Sequence, residues 1–244
     1  MLTRYLPIFV FLALLAEILG TIGGFGSSVF FVPIANFYFD FQSVLGITAI
    51  YHLSSNVTKI AFFRKGFDLK IILSLGIPAI AFVLIGAYFS KYIDPNILTY
   101  ILGFFLIVLS LAFLIFKNLK IIPKTKNAIL GGSLSGLSAG LLGTGGAIRG
   151  ITMAAFNLDK NKFIATSAII DLGADFSRTI IYYINGYIHK HDLYLVPVLL
   201  VISIVGTWIG KLILNKISQE QFRSFVLLLI LLIGIITIVS NTTL

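Results

Sequence analysis

The chain alternates long apolar stretches with short polar connections. Eight apolar segments are bounded by charged residues or by Gly, Pro and Asn, and they cover residues 5–37, 42–63, 69–90, 97–117, 128–157, 160–184, 192–214 and 222–240. A helix of about 20 apolar residues is long enough to cross a bilayer. The pattern therefore predicts an all-α polytopic membrane protein with about eight transmembrane segments.

The first and fifth segments are too long for a single span, and glycine interrupts both of them. The interruptions lie at residues 20–28 and 140–146. Irregular backbone occurs at membrane depth only where it is buried in protein or lines a cavity. The two segments therefore predict discontinuous helices or re-entrant hairpins. The alternative is that these glycines are positions of close helix packing.

The two glycine breaks belong to an internal repeat with an offset of 119 residues, which aligns residues 24–28 with residues 143–147. The offset also aligns Pro78 with Pro197 and three polar pairs, His52 with Asp171, Asn56 with Asp175, and Lys59 with Arg178. We therefore predict two homologous membrane repeats of four segments, residues 1–118 and 128–244, joined by a basic linker at 119–127. Hairpins at the breaks give each repeat an odd number of crossings, and we then expect the repeats to be inverted.

Composition agrees with a membrane location and removes several alternatives. Hydrophobic residues make up 58% of the chain and charged residues 11%, which is too little charge to cover a soluble surface. The absence of cysteine excludes disulfides and thiolate metal sites. The net charge of +9 fits basic loops beside anionic lipid headgroups, and we expect no nucleic-acid partner.

Loop charge gives an orientation if each apolar segment crosses the membrane once. Both termini then lie on the same side, and the loops on that side carry modestly more Lys and Arg. The positive-inside rule therefore predicts a multi-pass protein of the cell membrane with cytoplasmic termini.

The glycine breaks are the first candidates for chemistry. A helix that begins inside the membrane presents free backbone N–H groups and the positive end of its dipole, which attract anions. Hydroxyl groups and one arginine accompany the glycines. The predicted substrate-binding residues are Gly24, Gly26, Ser27, Ser28, Gly143, Thr144, Gly145, Gly146 and Arg149. We expect a small anionic substrate, no cofactor and no metal.

Ionisable residues inside the predicted spans are the second candidates. Each costs about 2.5–3.5 kcal/mol if it faces lipid. Three bases balance three acids, namely Lys59, Arg149 and Arg178 against Glu17, Asp171 and Asp175. This balance favours internal ion pairs, and the alternative is that some of these residues line the transport route. The predicted polar lining or proton-coupling group is His52, Asn56, Lys59, Asp171, Asp175 and Arg178, with Asp171 or Asp175 as the proton carrier.

Other readings find less support in the sequence. No metalloprotease, α/β-hydrolase or nucleotide-binding motif is present, so transport runs down a gradient or is coupled to an ion. An intramembrane lipid-modifying enzyme would depend on Ser27 and His52, and no sequence pattern pairs them. An anion channel of the same architecture is the remaining alternative. We expect the His-Lys-His-Asp run at 189–192 to be a solvated loop and not a metal site.

The glycine-rich motifs resemble those of a known family. Residues 24–33, Gly-Phe-Gly-Ser-Ser-Val-Phe-Phe-Val-Pro, are similar to the motif ending in Val-Pro of the TauE/SafE sulfite-exporter family. Residues 143–147 resemble its second copy, and the Arg64-Lys65-Gly66 turn also fits. Two departures are Ser27-Ser28 in place of glycines and Met153 where the second copy would carry proline.

The resemblance covers nearly the whole chain and implies a permease that exports small sulfur-containing anions, such as sulfite or short organosulfonates. We therefore expect a secondary transporter. It would bind the anion at the paired glycine breaks near the membrane midplane and move it by alternating access, either down the gradient of the anion alone or together with a coupled proton.

Overall fold

The computed structural model describes residues 2–24, 26–64, 66–115, 121–214, 216 and 219–242. Phe25 of the first break, Lys65 of the basic turn and the first part of the predicted linker lie outside these residues. The described residues form ten helices and no strand. They are α1 (Leu2–Gly23), α2 (Ser28–Asn36), α3 (Phe41–Phe62), α4 (Leu69–Ile71, a π-helical turn at Ile72–Gly76, and Ile77–Phe89), α5 (Pro95–Ile115), α6 (Thr125–Leu142), α7 (Gly146–Ala154), α8 (Lys160–Ile184), α9 (Leu195–Leu214) and α10 (Gln219–Thr242).

The all-helical membrane architecture is confirmed. Within the described residues, four helical stretches are long and apolar enough to cross a membrane, Leu6–Gly23, Leu69–Tyr92, Pro95–Ile115 and Leu195–Leu214. The helices α3 and α8 are less apolar because they carry many of the buried polar and charged residues. The helix α6 is rich in glycine and serine, which lowers its hydropathy.

Each of the two overlong segments is divided into two helices at its glycine break. The backbone dihedral φ is +74° at Gly24, +86° at Gly26 and +74° at Gly143. Residues with a Cβ atom rarely adopt these values, so the turns at the breaks require glycine.

The chain reverses direction at each break, which makes both broken segments hairpins. In the first, Phe9 near the start of α1 packs edge-on against Tyr38 and Phe39, which follow α2. In the second, Gly131 near the start of α6 lies against Thr152 near the end of α7. Each hairpin therefore returns to the end of the molecule at which it began.

Close packing of small residues operates along α6, up to the second break. The helix α6 lies along α4, and its glycines approach the α4 backbone so closely that a Cβ atom would collide with it. The contacts pair Gly132 with Leu75, Gly136 with Ala79, and Gly140 with Val83. The packing interpretation therefore holds for this face of α6, including Gly140 of the second break, whereas Gly24, Gly26 and Gly143 serve the backbone turns.

One end of the molecule, here called the linker end, contains the end of α5 and the start of α6, which flank the linker. Ile22, Phe63, Ile164 and Leu214 form an apolar cluster there. The Asp68 carboxylate caps α4 by accepting the Ile71 N–H over 3.1 Å, and Lys162 Nζ lies 3.3 Å from it. The Ile71 hydrogen bond and Lys162 lower the pKa of Asp68, so the cap stays ionised to a lower pH than an ordinary aspartate would.

The opposite end, here called the terminal end, contains the residues nearest the two chain termini. The side chain of Asn185 donates to the carbonyl of Ala87 over 3.0 Å, and Tyr100 donates to the carbonyl of Asn241 over 3.2 Å. The helices α3 and α8 run antiparallel between the two ends, and they position the interior polar residues described next.

Candidate functional site

The two helix breaks meet in the interior, where α2 and α7 begin. The hydroxyl of Thr144 donates to Ser28 Oγ across 3.3 Å, so one break contacts the other. Ser28 and Gly146, the first residues of α2 and α7, are both buried, and neither helix has a side-chain cap. Both helices therefore begin inside the protein, and each presents the positive end of its dipole there.

Arg149, in the first turn of α7, forms an ion pair with Asp171 of α8. Its Nε donates to Ser167 Oγ over 3.0 Å, and Ser167 Oγ donates to the carbonyl of Gly24 over 3.4 Å. A Cβ atom at Gly26 would lie 3.7 Å from Arg149 Nη2 and 3.8 Å from Asp171 Oδ2. The ion pair therefore connects the second break, which carries Arg149, with the backbone of the first.

A second ion pair lies within α8. Arg178 Nε donates to Asp175 Oδ1 over 2.8 Å, and Asn56 of α3 donates its Nδ2 to Asp175 Oδ2 over 2.7 Å. Arg178 Nη1 also donates to the carbonyls of Gly143 and Ala139, over 2.9 and 3.1 Å. The pair thereby fixes the end of α6, and with it the second break, to α8 and α3.

The third ion pair joins α1 to α3. Lys59 Nζ lies 2.7 Å from Glu17 Oε1, and both side chains are buried. The Glu17 carboxylate also accepts hydrogen bonds of 2.6–3.0 Å from the hydroxyls of Ser27, Tyr51, Ser55 and Thr207. This carboxylate therefore ties the first break to α1, α3 and α9.

His52 lies between the Glu17 network and the Asp175 network. Its Nε2 is 3.3 Å from Ser27 Oγ, and its Nδ1 is 3.9 Å from Asp175 Oδ2. No sequence pattern pairs Ser27 with His52, and the structure nevertheless brings them into contact. A turn at the first break brings Ser27 onto the face of α3 that carries His52.

A small cavity lies among these groups. Its volume is about 20 Å³, which is room for about one water molecule. The cavity is lined by backbone of the second break and by buried polar side chains, including Ser28, His52, Gly143, Gly145, Gly146, Arg149, Asp171, Asp175 and Arg178.

Comparison with known protein families places this architecture. The family model described as "Sulfite exporter TauE/SafE" matches residues 9–237, which is nearly the whole chain. The chain belongs to the TauE/SafE family. No curated protein and no solved structure matched it. Family membership, together with the apolar helices, identifies an integral membrane transporter of the sulfite-exporter type.

The TauE/SafE chain brings most of the predicted site residues together, but not all of them line the cavity. Five of the predicted residues do not line the cavity and instead connect the breaks to each other or to neighbouring helices. They are Gly24, Gly26, Ser27, Thr144 and Asn56. Lys59 belongs to the Glu17 network and does not join Asp175 and Arg178, although it shares a helix face with His52 and Asn56.

Several serines that hold the breaks or the charged side chains in place were not predicted from the sequence. Ser135 donates its hydroxyl to the carbonyl of Gly145 over 2.8 Å and so holds the second break. Ser167 precedes Asp171 by four residues, and Ser55 precedes Lys59 by four. Since residues four apart share a helix face, this spacing is a signal that could have found both serines.

The histidine run lies apart from this site. The rings of His189 and His191 stack in the turn before α9. Asp192 Oδ2 lies 3.6 Å from His189 Nδ1, and Asp192 Oδ1 lies 3.4 Å from His191 Nε2. His189 Nδ1 also contacts the hydroxyl of Ser43, over 2.8 Å. These contacts connect the turn to the start of α3 at the terminal end.

We predict that Glu17→Gln lowers the free energy of unfolding of this TauE/SafE protein by about 3–5 kcal/mol, because it leaves Lys59 as an unpaired buried charge. The double variant Glu17→Gln/Lys59→Met removes both charges and should recover a large part of the loss. Thermal melting of the purified proteins measures both effects. A Glu17→Gln protein as stable as the wild type would show that the network does not hold the helices together.

Proposed function

We propose that this protein is a secondary transporter that exports small sulfur-containing anions such as sulfite or short organosulfonates. The observation that carries the proposal is the meeting of two buried, uncapped helix N-termini beside Arg149. Family membership supplies the class of anion.

The electrostatic argument starts from the ion pairs. Three buried cations are balanced by three carboxylates, so these side chains together carry no net charge. Each helix N-terminus contributes about half a positive elementary charge. Two N-termini that meet therefore leave roughly one unit of positive charge at the breaks, which suits one small anion.

The contacts available to an oxyanion are backbone N–H groups, hydroxyls and a guanidinium. Gly146 has no side chain to block the approach of a ligand to the start of α7, and the missing side chain of Gly145 makes room for the backbone of Ser135. Ser28, whose oxygen accepts from Thr144, supplies a hydroxyl donor, and Arg149 supplies a fork of N–H groups that matches the oxygens of sulfite or a sulfonate. His52, Asn56, Asp171, Asp175 and Arg178 complete the polar surroundings in this proposal.

Inverted repeats are part of the proposal. The helix α1 begins at the terminal end, whereas its counterpart α6 begins at the linker end. Asn56 and Asp175, which are hydrogen-bonded, lie 119 residues apart, the offset of the internal repeat. Lys59 of α3 contacts α1 through Glu17, and its counterpart Arg178 of α8 contacts α6. These paired contacts support a pseudo-twofold axis between α3 and α8.

The hairpins change the count of charges on which the orientation depends. Among the basic residues whose side chains the structure describes, those near the linker end are Arg64, Lys70, Lys124, Lys126, Lys160, Lys162, Lys211 and Lys216, and those near the terminal end are Lys91 and Lys190. The positive-inside rule then favours a cytoplasmic linker end, with both chain termini on the other side. This orientation replaces the one expected from single crossings.

Alternating access is the mechanism that we propose for this site. The cavity holds about one water molecule, so a sulfite or sulfonate group needs a rearrangement to enter. Toward the linker end, Phe163 packs against Gly24, and toward the terminal end, Leu45 and Val32 pack against Gly143. Each break is therefore covered by one apolar layer, and rocking of the two halves would open these layers in turn.

The enzyme alternative gains a contact but not a mechanism. In a nucleophile–base pair the serine hydroxyl donates to histidine. Here Ser27 donates to Glu17 Oε2 over 2.6 Å, so His52 is left to donate its Nε2–H to Ser27. The hydrogen bonds thus run opposite to those that would activate Ser27. A channel would need a continuous pore, and the small enclosed cavity favours a carrier.

We predict that Arg149→Ala lowers sulfite and sulfonate flux in proteoliposomes by at least about tenfold, since a hydrogen bond to a charged group contributes about 1.5–3 kcal/mol. Arg64→Ala, in an exposed loop, is the matched control and should keep wild-type flux. Wild-type vesicles loaded with unlabelled substrate should take up labelled substrate faster than empty vesicles.

Unchanged flux in a folded Arg149→Ala protein would contradict the binding site. If this variant does not fold, Arg149→Ala/Asp171→Asn removes the uncompensated carboxylate and tests the same contact. Flux without acceleration by internal substrate would identify a channel.

The orientation can be tested because the chain contains no cysteine. We predict that Asp94→Cys, at the exposed terminal end, reacts with a membrane-impermeant thiol reagent in intact cells. Lys124→Cys, exposed at the linker end, should react only after the membrane is permeabilised. The reverse pattern of labelling would place the linker end outside and contradict the proposed orientation.

A further inference from the structure

We infer that the Asp171 carboxylate is a tethered anion that occupies the substrate position, and that it must be protonated and displaced before the substrate binds. The inference rests on the proposed anion site and adds that a proton is transported together with the substrate. Each monoanion would bind together with one proton, which Asp171 takes up from the side of loading and gives up after release.

Asp171 lies where a substrate oxyanion would bind. Its Oδ1 contacts Arg149 Nη1, in the first turn of α7. Its Oδ2 lies 3.8 Å from the place where a Cβ atom at Gly26 would be, so it faces the backbone of the first break. A carboxylate, a sulfonate and sulfite all present oxygens that accept the N–H groups of a guanidinium. Asp171 therefore holds the contacts that a substrate oxyanion needs.

The three acids of the interior differ in how many partners hold them and in how exposed they are. Glu17 accepts several hydroxyl hydrogen bonds besides its ion pair, and Asp175 binds both Asn56 and Arg178. In the described part of the chain, Asp171 is paired with Arg149. The side chain of Asp171 is 17% exposed, against 6% for Asp175 and 0% for Glu17. Asp171 is thus the least restrained of the three and the easiest to reach for a proton.

An ionised Asp171 and a bound substrate anion would repel each other. Two like charges 4 Å apart repel by about 1 kcal/mol in water and by about 4 kcal/mol at an effective dielectric constant of about 20. An ionised Asp171 and a bound anion beside Arg149 would therefore exclude each other. Protonation removes the charge, frees the guanidinium for the substrate and leaves the net charge of the site unchanged by loading.

The other charged groups around Asp171 come from three helices. The helix α7 contributes Arg149, α8 contributes Asp175 and Arg178, and α3 contributes His52 and Lys59. The helix α4 packs on the same stretch of α8 with uncharged residues, Gly76 against Ile170 and Ile80 against Gly173. Histidine is the side chain whose ordinary pKa lies nearest neutral pH, so the experiment must separate His52 from Asp171.

The test uses methanesulfonate, whose charge is constant across the pH range studied, and measures its dissociation constant by calorimetry between pH 5 and pH 8. The wild-type constant should rise by about tenfold per pH unit once Asp171 is ionised. Asp171→Asn should bind with the same affinity at every pH, within about threefold of the wild type at acidic pH. Binding at pH 7 to the wild type should take up one proton per anion.

Three results would overturn the inference. Wild-type binding that is independent of pH, without proton uptake, would overturn it while leaving the anion site in place. Dependence on pH that persists in Asp171→Asn and disappears in His52→Gln would assign the proton to His52. No binding of methanesulfonate at any pH would overturn it together with the proposed site. The proton-uptake measurement needs only the wild type, so the inference stays testable if a variant does not fold.

Discussion

An ionised side chain inside the bilayer needs a partner, and the pairing of buried charges organises this protein. An unpaired charge costs about 2.5–3.5 kcal/mol on insertion scales. The pair Glu17–Lys59 joins α1 to α3, and Arg149–Asp171 joins α7 to α8. Arg178, paired with Asp175 within α8, also holds two carbonyls at the end of α6. Each break is thereby fixed to the central helices by the same contacts that satisfy the charges.

Much of the fold follows from the sequence, because apolar length and glycine are local signals. The overlong segments and their breaks could be predicted from segment length and from the glycines alone. The partners of the charges could not, since partners depend on which helices become neighbours. Lys59 shows this limit: its spacing on α3 groups it with Asn56, but α1 packs beside α3 and gives it Glu17 instead. The contact of Ser27 with His52 depends in the same way on the turn at the first break.

In the proposed site, the neutral pairs also determine where the net electrostatic attraction for an anion lies. Because the charged side chains cancel, the remaining positive potential comes from the two helix N-termini, whose positions are set by the hairpins. The same hairpins decide the relative direction of the two halves, which the sequence left open. Anion binding, inversion of the repeats and orientation in the membrane are therefore consequences of one structural feature in this proposal.

The central claim is that the substrate anion binds between the N-termini of α2 and α7 at Arg149. Selenite is a chemical analogue of sulfite, and its selenium atom scatters X-rays anomalously. In crystals of the protein soaked with selenite, we predict an anomalous peak within hydrogen-bonding distance of the Arg149 guanidinium and the first turn of α7. A peak confined to the basic loops of the linker end, or the same interior peak in Arg149→Ala, would contradict the claim.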